Sequence, residues 1–166
     1  RLDGKTVVLT GAAGRLGSRF AHILCESGAN VILVDKDAKK NLKLQLELSK
    51  KYNTVIEVFD IDIIAESSVE QMVKKIIKKF KKIDILINNA HFIPRDHPKR
   101  DFPFEKYPLD LWNETINTNL QGLFLCSREI GRLMVKQNHG VIINISSIYG
   151  ITGADQRIYG KSRLNS

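Results

Sequence analysis

The segment TVVLTGAAGRLG, residues 6–17, joins a short apolar run to an amphipathic stretch through Gly11, Gly14 and Gly17. Glycines at such a junction allow a tight turn and let backbone N–H groups at a helix N-terminus approach a pyrophosphate. A glycine triplet alone also occurs in ordinary turns between a strand and a helix. Here the next apolar run ends at Asp35, eighteen residues after Gly17, as in dinucleotide-binding βαβ units. The segment therefore predicts a dinucleotide site.

Short apolar runs recur along the chain and alternate with longer amphipathic segments. They are TVVLT (6–10), VILVD (31–35), VIEVFD (55–60), IDILIN (83–88) and VIINIS (141–146). Their near-continuous Val, Ile and Leu content suits strands that are covered on both faces. Strands that alternate with helices predict an α/β fold, a Rossmann-type doubly wound parallel sheet in three α/β/α layers. We expect residues 1–166 to form a single domain.

Apolar residues at helical spacing predict the faces of three helices. After the glycine turn this face consists of Leu16, Phe20, Ile23 and Leu24. In the clearest helix it consists of Val69, Met72, Val73, Ile76, Ile77 and Phe80. In a long later helix it consists of Trp112, Ile116, Leu120, Leu123, Ile130 and Met134. Ser67 and Glu70 predict a capping box at the start of the second of these helices.

The leucines between Leu42 and Leu48 alternate with polar residues at period two, which is typical of a strand. We nevertheless expect a helix there. Leu, Lys, Gln and Glu are good helix formers, and a pair of parallel strands needs a crossover.

Composition narrows the class of protein. The net charge of +8 lies mostly in lysines that alternate with apolar residues in helical segments, which favours solvated helix faces over a nucleic-acid surface. No run approaches the ~18 apolar residues of a membrane span, and residues 1–5 do not resemble a signal peptide. We therefore expect a cytoplasmic protein without a nucleic-acid or membrane partner. Cys25 and Cys126 are expected to be buried free thiols, and no Cys/His spacing predicts a metal site.

The end of the second strand bears on the choice of cofactor. Asp35 suits an acceptor for adenosine ribose hydroxyls, and its carboxylate would repel the 2′-phosphate of NADP. Arg15 and Lys36 favour NADP instead, because either side chain can pair with a phosphate. We predict NAD, and NADP stays the alternative.

From LDGKTVVLTGAAG onward the whole chain resembles the short-chain dehydrogenase/reductase family. INNA, residues 87–90, resembles the family's Asn-Asn-Ala motif, which implies that Asn88 stabilises the sheet while Asn89 and Ala90 line the cofactor site. Asp62 resembles the acidic residue that contacts adenine. The predicted cofactor-binding residues are Gly11, Gly14, Arg15, Leu16, Gly17, Asp35, Asp62, Ile63, Asn89, Ala90 and Ile145.

Two further matches imply catalytic residues. NTNLQGLF resembles the family's Asn-x-Gly helix segment and implies that Asn119 is the active-site asparagine. IINISS resembles the strand that ends in the catalytic serine, here Ser147. From the residues alone, a polar amide on an apolar helix seam is structural or functional, and many serines after a strand merely cap loops.

The sequence departs from the family's pattern at two places. The glycines fall as Gly-x-x-Gly-x-x-Gly, with Arg15 in the usual position of the middle glycine, which is more typical of the family's extended branch. No tyrosine is followed four residues later by lysine, and Tyr159 is followed by Arg163. Either Arg163 substitutes for that lysine, or the chain given stops before the Tyr-x-x-x-Lys motif.

We favour the second interpretation. SSIYG followed by DQRIYG resembles a subgroup that includes gluconate 5-dehydrogenase-like enzymes and the flagellin-modification protein A group, in which an insertion precedes that motif. Family members have roughly 250 residues, so the domain is expected to be incomplete at its C-terminal end.

The resemblance implies an NAD(P)-dependent oxidoreductase that transfers a hydride between nicotinamide and a hydroxyl or carbonyl carbon of a small, sugar-like substrate. The chain as given is expected to be inactive. Arg95, Lys99 and Arg100, in the proline-rich segment 91–108, would favour an anionic sugar if that segment borders the site. The helix around Asn119 is the expected face of a homo-oligomer, a dimer or tetramer. The alternatives are an inactive nucleotide-binding or structural protein on a degenerate fold of this family, and an extended-branch epimerase or dehydratase.

Overall fold

The computed structural model describes residues 1–94, 97–98, 102–153, 155 and 157. Five parallel strands form one sheet in the order β3-β2-β1-β4-β5. The strands are β1 (Thr6–Thr10), β2 (Asn30–Asp35), β3 (Ile56–Asp60), β4 (Ile85–Asn88) and β5 (Val141–Asn144). The Rossmann-type doubly wound fold is confirmed, and all five predicted strands are present.

The order of the strands reverses at β1. From β1 the chain proceeds outward through β2 to β3, and it then returns to place β4 on the other side of β1. The carboxyl ends of β1 and β4 therefore border a crevice. Ligands bind at this position in open α/β sheets.

Helices cover both faces of the sheet. They are α1 (Arg15–Glu26), α2 (Ala38–Lys51), α3 (Glu66–Phe80), α4 (Leu109–Ile116) and α5 (Leu123–Gln137). Val7 and Leu9 of β1 point into a core with α1 and α2, while Val8 points into a second core with α3 and α5. This alternation along β1 explains why its residues are all buried and all apolar between the two threonines.

The leucine-rich segment with period two is helical, as expected. Leu44 and Leu48 of α2 are buried, whereas Leu42 and Leu46 are more than half exposed. The prediction for the start of α3 was wrong, because that helix begins earlier, at Glu66. Ala65 is its N-cap and accepts the first helical hydrogen bond from Val69, so Ser67 lies inside the first turn and caps nothing.

Two predicted helix faces also need correction. In α1, Leu16 and Ile23 are exposed, and Ala21, Leu24 and Cys25 form the buried face. The long helix is interrupted by a π-helical segment, Asn117–Gly122, between α4 and α5. A π turn takes an extra residue, so the buried face shifts, and Trp112 and Leu120 lie on the solvent side.

Within the described residues, no helix is long and apolar enough to cross a membrane. Cys25 and Cys126 are buried free thiols, as predicted.

Candidate cofactor-binding site

A cleft of about 310 Å³ lies at the carboxyl ends of β1, β2 and β4. Ten of the eleven predicted cofactor-binding residues line it, which are Gly11, Gly14, Arg15, Leu16, Gly17, Asp35, Asp62, Ile63, Asn89 and Ala90. Ile145 does not line the cleft, and its N–H instead donates to the carbonyl of Asn88 at 2.9 Å. The structure thus brings together residues that are up to 79 positions apart in the sequence, from Gly11 to Ala90.

Two glycines are required by close backbone contacts. Gly11 has a φ of +63°, and a Cβ placed on it would lie 2.6 Å from the Cα of Ala90. A Cβ on Gly17 would lie 2.1 Å from the carbonyl oxygen of Gly11. The turn therefore packs tightly against both α1 and the loop after β4. A side chain at either glycine would push the turn out of this position.

The start of α1 is open to a ligand. Its N-cap, Gly14, has no side chain, and the first helical hydrogen bond runs from the N–H of Ser18 to the carbonyl of Gly14. The N–H groups of the first turn therefore point out of the helix beside the cleft. Such an N-terminus favours a negatively charged group, such as a pyrophosphate.

Hydrogen bonds of Thr10 and Asn89 connect the carboxyl ends of β1 and β4, where the strand order reverses. The hydroxyl oxygen of Thr10 accepts hydrogen bonds from the N–H groups of Asn89, at 3.0 Å, and Ala90, at 3.1 Å. The side-chain amide of Asn89 donates to the carbonyls of Thr10 and Gly11. These bonds fix both walls of the crevice. Sequence reasoning missed Thr10, whose only signal was a hydroxyl at the end of an apolar strand.

Asn88 points away from the cleft. Its side-chain amide donates to the hydroxyl of Ser127 on α5 and to the side-chain oxygen of Asn144 on β5, both at 2.9 Å. It thereby joins β4 to the neighbouring strand and to the helix above it.

The carboxylate of Asp35 is held at the end of β2. One oxygen accepts the N–H of Ala13, in the glycine turn, at 2.9 Å, and the other accepts the N–H of Asp37 at 3.0 Å. The side chain therefore caps a loop and at the same time lines the cleft. Asp62, after β3, lines the same cleft, and its carboxylate accepts the N–H of Ile64 at 3.2 Å.

Basic side chains border this acidic end of the cleft. Arg15, Lys36, Lys40 and His91 all line it. Lys40 forms an ion pair with Asp37 at 2.8 Å, and its hydrogen bonds lower the pKa of the Asp37 carboxyl. Lys36 instead extends toward the loop after β4, where its Nζ lies 5.8 Å from the ring centroid of Phe92.

Sequence reasoning did not single out Lys40, His91 or Thr118, all of which line the cleft. His91 directly follows the Asn-Asn-Ala motif, and Thr118 directly precedes Asn119, so proximity to the motifs was the available signal.

The two predicted catalytic residues lie outside the lining of the cleft. The side chain of Asn119 hydrogen-bonds the backbone of Phe92, which follows the cleft residues Ala90 and His91. Ser147 follows β5, and its hydroxyl accepts the N–H of Tyr149 at 3.2 Å at the start of a short 3₁₀ turn, Ile148–Gly150. Tyr159 and Arg163 lie outside the described residues, as do Arg95, Lys99 and Arg100.

The cleft suits a nicotinamide dinucleotide. A helix N-terminus without a side-chain cap matches the pyrophosphate, and glycines that tolerate no Cβ bring the backbone close to it. The fixed carboxylate of Asp35 matches a donor pair such as the ribose hydroxyls.

The comparison with protein families agrees with this geometry. The family model for short chain dehydrogenase matches residues 5–163. The chain belongs to the short-chain dehydrogenase family. This family uses a nicotinamide cofactor, and the solved structure of a xylitol dehydrogenase has the fold described above.

Individual family members differ in their named activities. The 3-oxoacyl-[acyl-carrier-protein] reductase FabG of Thermotoga maritima is 30% identical over 92% of this chain and 59% of its own length. An NAD-dependent glycerol dehydrogenase of Listeria innocua is 32% identical over 95% of this chain and 58% of its own length. The crystal structure of an NAD⁺-bound xylitol dehydrogenase has a TM-score of 0.85 and 29% identity, covering 98% of this chain and 60% of that one. The chain thus spans about three fifths of the length of these relatives.

Proposed function

We propose that this short-chain dehydrogenase binds NAD(H) and is part of an oxidoreductase for a small, sugar-like substrate. The observation that carries the proposal is the carboxylate of Asp35, which is fixed by the N–H groups of Ala13 and Asp37 at the edge of the cleft. A carboxylate held there accepts hydrogen bonds from ribose hydroxyls and repels a 2′-phosphate. A glycerol dehydrogenase and a xylitol dehydrogenase among the relatives support a polyol or sugar substrate.

Each part of the cleft has a distinct task in this proposal. The first turn of α1 binds the pyrophosphate through its N–H groups, and Asp62 faces the adenine side. A nicotinamide dinucleotide held in this cleft would supply hydride transfer. Ser147 hydrogen-bonds the substrate oxygen, and Asn119 positions the loop that carries Ala90 and His91.

Proton transfer to and from the substrate oxygen needs a general acid/base, which the family resemblance assigns to a tyrosine assisted by a lysine. In this sequence Arg163, not a lysine, lies four residues after Tyr159. Arginine holds its proton too firmly to join a proton relay. We therefore expect the 166 residues alone to bind the dinucleotide without turnover. An inactive nucleotide-binding protein on the same fold is the second candidate, favoured by the arginine at position 163.

We also propose that a second copy of the chain covers the outer face of α4 and α5. Leu109, Trp112, Leu120 and Phe124 are each about half exposed or more along this face. An apolar stripe of this kind on a surface helix is typical of a protein interface. Leu120→Glu is expected to shift the mass measured by light scattering to that of the monomer, while Leu42→Glu on α2 is not.

Calorimetric titration with NAD⁺ and NADP⁺ tests the cofactor proposal. The wild-type protein is expected to bind NAD⁺ more tightly than NADP⁺. Asp35→Asn removes the negative charge and keeps one acceptor oxygen. The ratio of the NAD⁺ affinity to the NADP⁺ affinity should therefore fall by roughly tenfold, about 1.4 kcal/mol. Glu47→Gln, an exposed carboxylate on α2, should leave the preference unchanged. If the folded protein binds neither nucleotide, the proposal is wrong.

A substrate screen separates the two candidate functions. Purified natural protein, its mass measured intact, is supplied with NAD⁺ and a panel of polyols, sugars and sugar acids, and formation of NADH is followed at 340 nm. Substrate-dependent NADH formation supports the dehydrogenase. Tight NAD⁺ binding without turnover on any of them supports the binding protein.

A further inference from the structure

A contact crosses the cofactor cleft from one wall to the other. Lys36 directly follows β2, and Phe92 lies in the loop after β4, while β1 and its glycine turn lie between these two strands. The Nζ of Lys36 lies 5.8 Å from the centroid of the Phe92 ring. A cation within about 6 Å of an aromatic ring centroid is attracted by the ring's negative face. The lysine side chain therefore reaches across the cleft to meet the ring.

The ring of Phe92 is the fixed partner in this contact. Both backbone groups of Phe92 hydrogen-bond the side chain of Asn119, and Phe92 is partly buried. Lys36, in contrast, is exposed and carries a flexible four-carbon stem. Asn119 thus holds the backbone that carries the ring, and the ammonium group of Lys36 lies over this ring.

The contact keeps the ammonium group of Lys36 away from the end of the cleft where the adenosine ribose is proposed to bind. Lys36 is the neighbour of Asp35, whose carboxylate faces the proposed position of the ribose hydroxyls. A 2′-phosphate at that position would meet the negative charge of Asp35 and would need a nearby cation. Lys40 is already paired with Asp37 at 2.8 Å. Arg15 lines the cleft from the first residue of α1, whereas Lys36 directly follows Asp35 and lies over Phe92.

We propose that Phe92 is a specificity-determining positioning residue, which holds Lys36 away from the ribose 2′ position and thereby maintains discrimination against NADP. This inference rests on the proposed binding of a nicotinamide dinucleotide. Phe92 acts through Lys36 and does not itself line the cleft. When the ring is lost, Lys36 is free to pair with a 2′-phosphate. The 2′-hydroxyl of NAD offers no such charge, so NAD binding should hardly change.

Calorimetric titration of Phe92→Leu with NAD⁺ and NADP⁺ tests the inference. A cation–π contact at an exposed site changes an equilibrium by about two- to fivefold. We expect the affinity for NADP⁺ to rise by about that factor, with NAD⁺ affinity changed by less. Phe92→Tyr keeps the ring and should retain the wild-type ratio of affinities. Phe92→Met replaces the leucine variant if the latter does not fold.

A variant that lacks Lys36 distinguishes an effect transmitted through this lysine from a general loosening of the loop after β4. In Lys36→Met protein, Phe92→Leu should leave the ratio of the two affinities unchanged. The inference is overturned if the ratio stays at the wild-type value in Phe92→Leu, or if the ratio shifts equally with and without Lys36. If wild-type protein binds neither nucleotide, the proposed function fails and the inference fails with it, whereas normal NAD⁺ binding with an insensitive ratio overturns the inference alone.

Discussion

The side-chain amide of Asn119 binds both backbone groups of Phe92. Its Oδ1 accepts the N–H of Phe92 at 2.6 Å, and its Nδ2 donates to the carbonyl of the same residue at 3.0 Å. Asn119 lies in the π-helical segment between α4 and α5, and π bulges are frequent at functional sites. The helix layer thus fixes the loop after β4, and this loop supplies Ala90 and His91 to the cleft.

Asn119→Ala should destabilise the protein and weaken dinucleotide binding. The substitution removes two hydrogen bonds, each contributing about 1 kcal/mol, and leaves the N–H and carbonyl of Phe92 without their partner. We expect a loss of about 1–3 kcal/mol in the free energy of unfolding, measured with urea, and weaker NAD⁺ binding by calorimetry. Asn113→Ala, an exposed change on α4, is the control. Equal effects of the two substitutions would contradict the role of Asn119.

Local patterns predicted the fold and most of the cleft. The glycine turn, Asp35 and the Asn-Asn-Ala motif each sit at the end of an apolar run, and the ends of parallel strands meet at one edge of the sheet. Tertiary contacts could not be predicted in the same way. The hydroxyl of Thr10 accepts hydrogen bonds from the N–H groups of Asn89 and Ala90, which lie 79 and 80 positions later in the sequence.

The predicted face of the long helix failed because a single extra residue shifts the helical period. The π-helical segment rotated the predicted face of the long helix, so Trp112 and Leu120 lie on the solvent side. Nothing in the pattern of apolar residues indicates that turn. The capping box at Ser67 failed because the helix starts two residues earlier, where Ala65 provides the first acceptor through its backbone.

Gly17→Ala should disrupt the glycine turn. The added Cβ would lie 2.1 Å from the carbonyl oxygen of Gly11 and 2.9 Å from the Cα of Ala12, so the backbone must move. We expect destabilisation by about 1–3 kcal/mol despite the better helix propensity of alanine, together with loss of measurable NAD⁺ binding. Thermal unfolding and calorimetry provide the two measurements.

Gly14→Ala is the matched control for that substitution. Gly14 has a φ of −73°, which alanine adopts readily, and its added Cβ would meet only the carbonyl oxygen of Gly11, at 3.2 Å. Its unfolding temperature should fall by less than that of Gly17→Ala, because the remaining cost is that of alanine at an N-cap. If Gly14→Ala destabilises the protein as much as Gly17→Ala does, close packing of the turn is not the reason for these glycines.

The two thiols should be inert in the native protein. Burial raises the pKa of Cys126 to about 12, and burial also raises the pKa of Cys25 against the opposing hydrogen bond with Thr54. Only the thiolate reacts with disulfide reagents, and both sulfur atoms are shielded from solvent. At pH 8, Ellman's reagent should therefore react with neither thiol until denaturant is added, and then with both. Ser49→Cys, on the exposed face of α2, should add one fast-reacting thiol, and rapid reaction of the wild type would contradict the burial.

Asp84 directly precedes β4, at the end of the sheet opposite the cleft, and hydrogen-bonds the first residue of β1. Its side chain is only 3% exposed, and its carboxylate accepts the N–H of Thr6 at 2.9 Å. The ammonium groups of Lys5 and Lys82 and the imidazole of His139 lie within 3.4 Å of it. Burial alone would raise the pKa of this carboxyl, but the bond from Thr6 and the two lysines outweigh burial and lower it.

The lowered pKa of Asp84 predicts how stability depends on pH. A carboxyl with a lower pKa in the folded state stabilises the protein fully above the pKa of the unfolded chain, ~3.9 for Asp, and this contribution disappears as the pH falls through the folded value. We expect Asp84→Asn to lower the free energy of unfolding by about 1–3 kcal/mol at pH 7. The difference between wild type and variant should shrink steadily below about pH 4.

Urea denaturation of both proteins between pH 2 and 7 measures that difference. Other carboxylates titrate in both proteins, so their contributions cancel when the two curves are subtracted. Glu114→Gln, an exposed change on α4, is the control and should leave the free energy of unfolding at pH 7 close to that of the wild type. A constant difference between wild type and Asp84→Asn down to pH 2 would mean that Asp84 acts through packing rather than through its charge. The direction of its pKa would then not explain the stability of this end of the sheet.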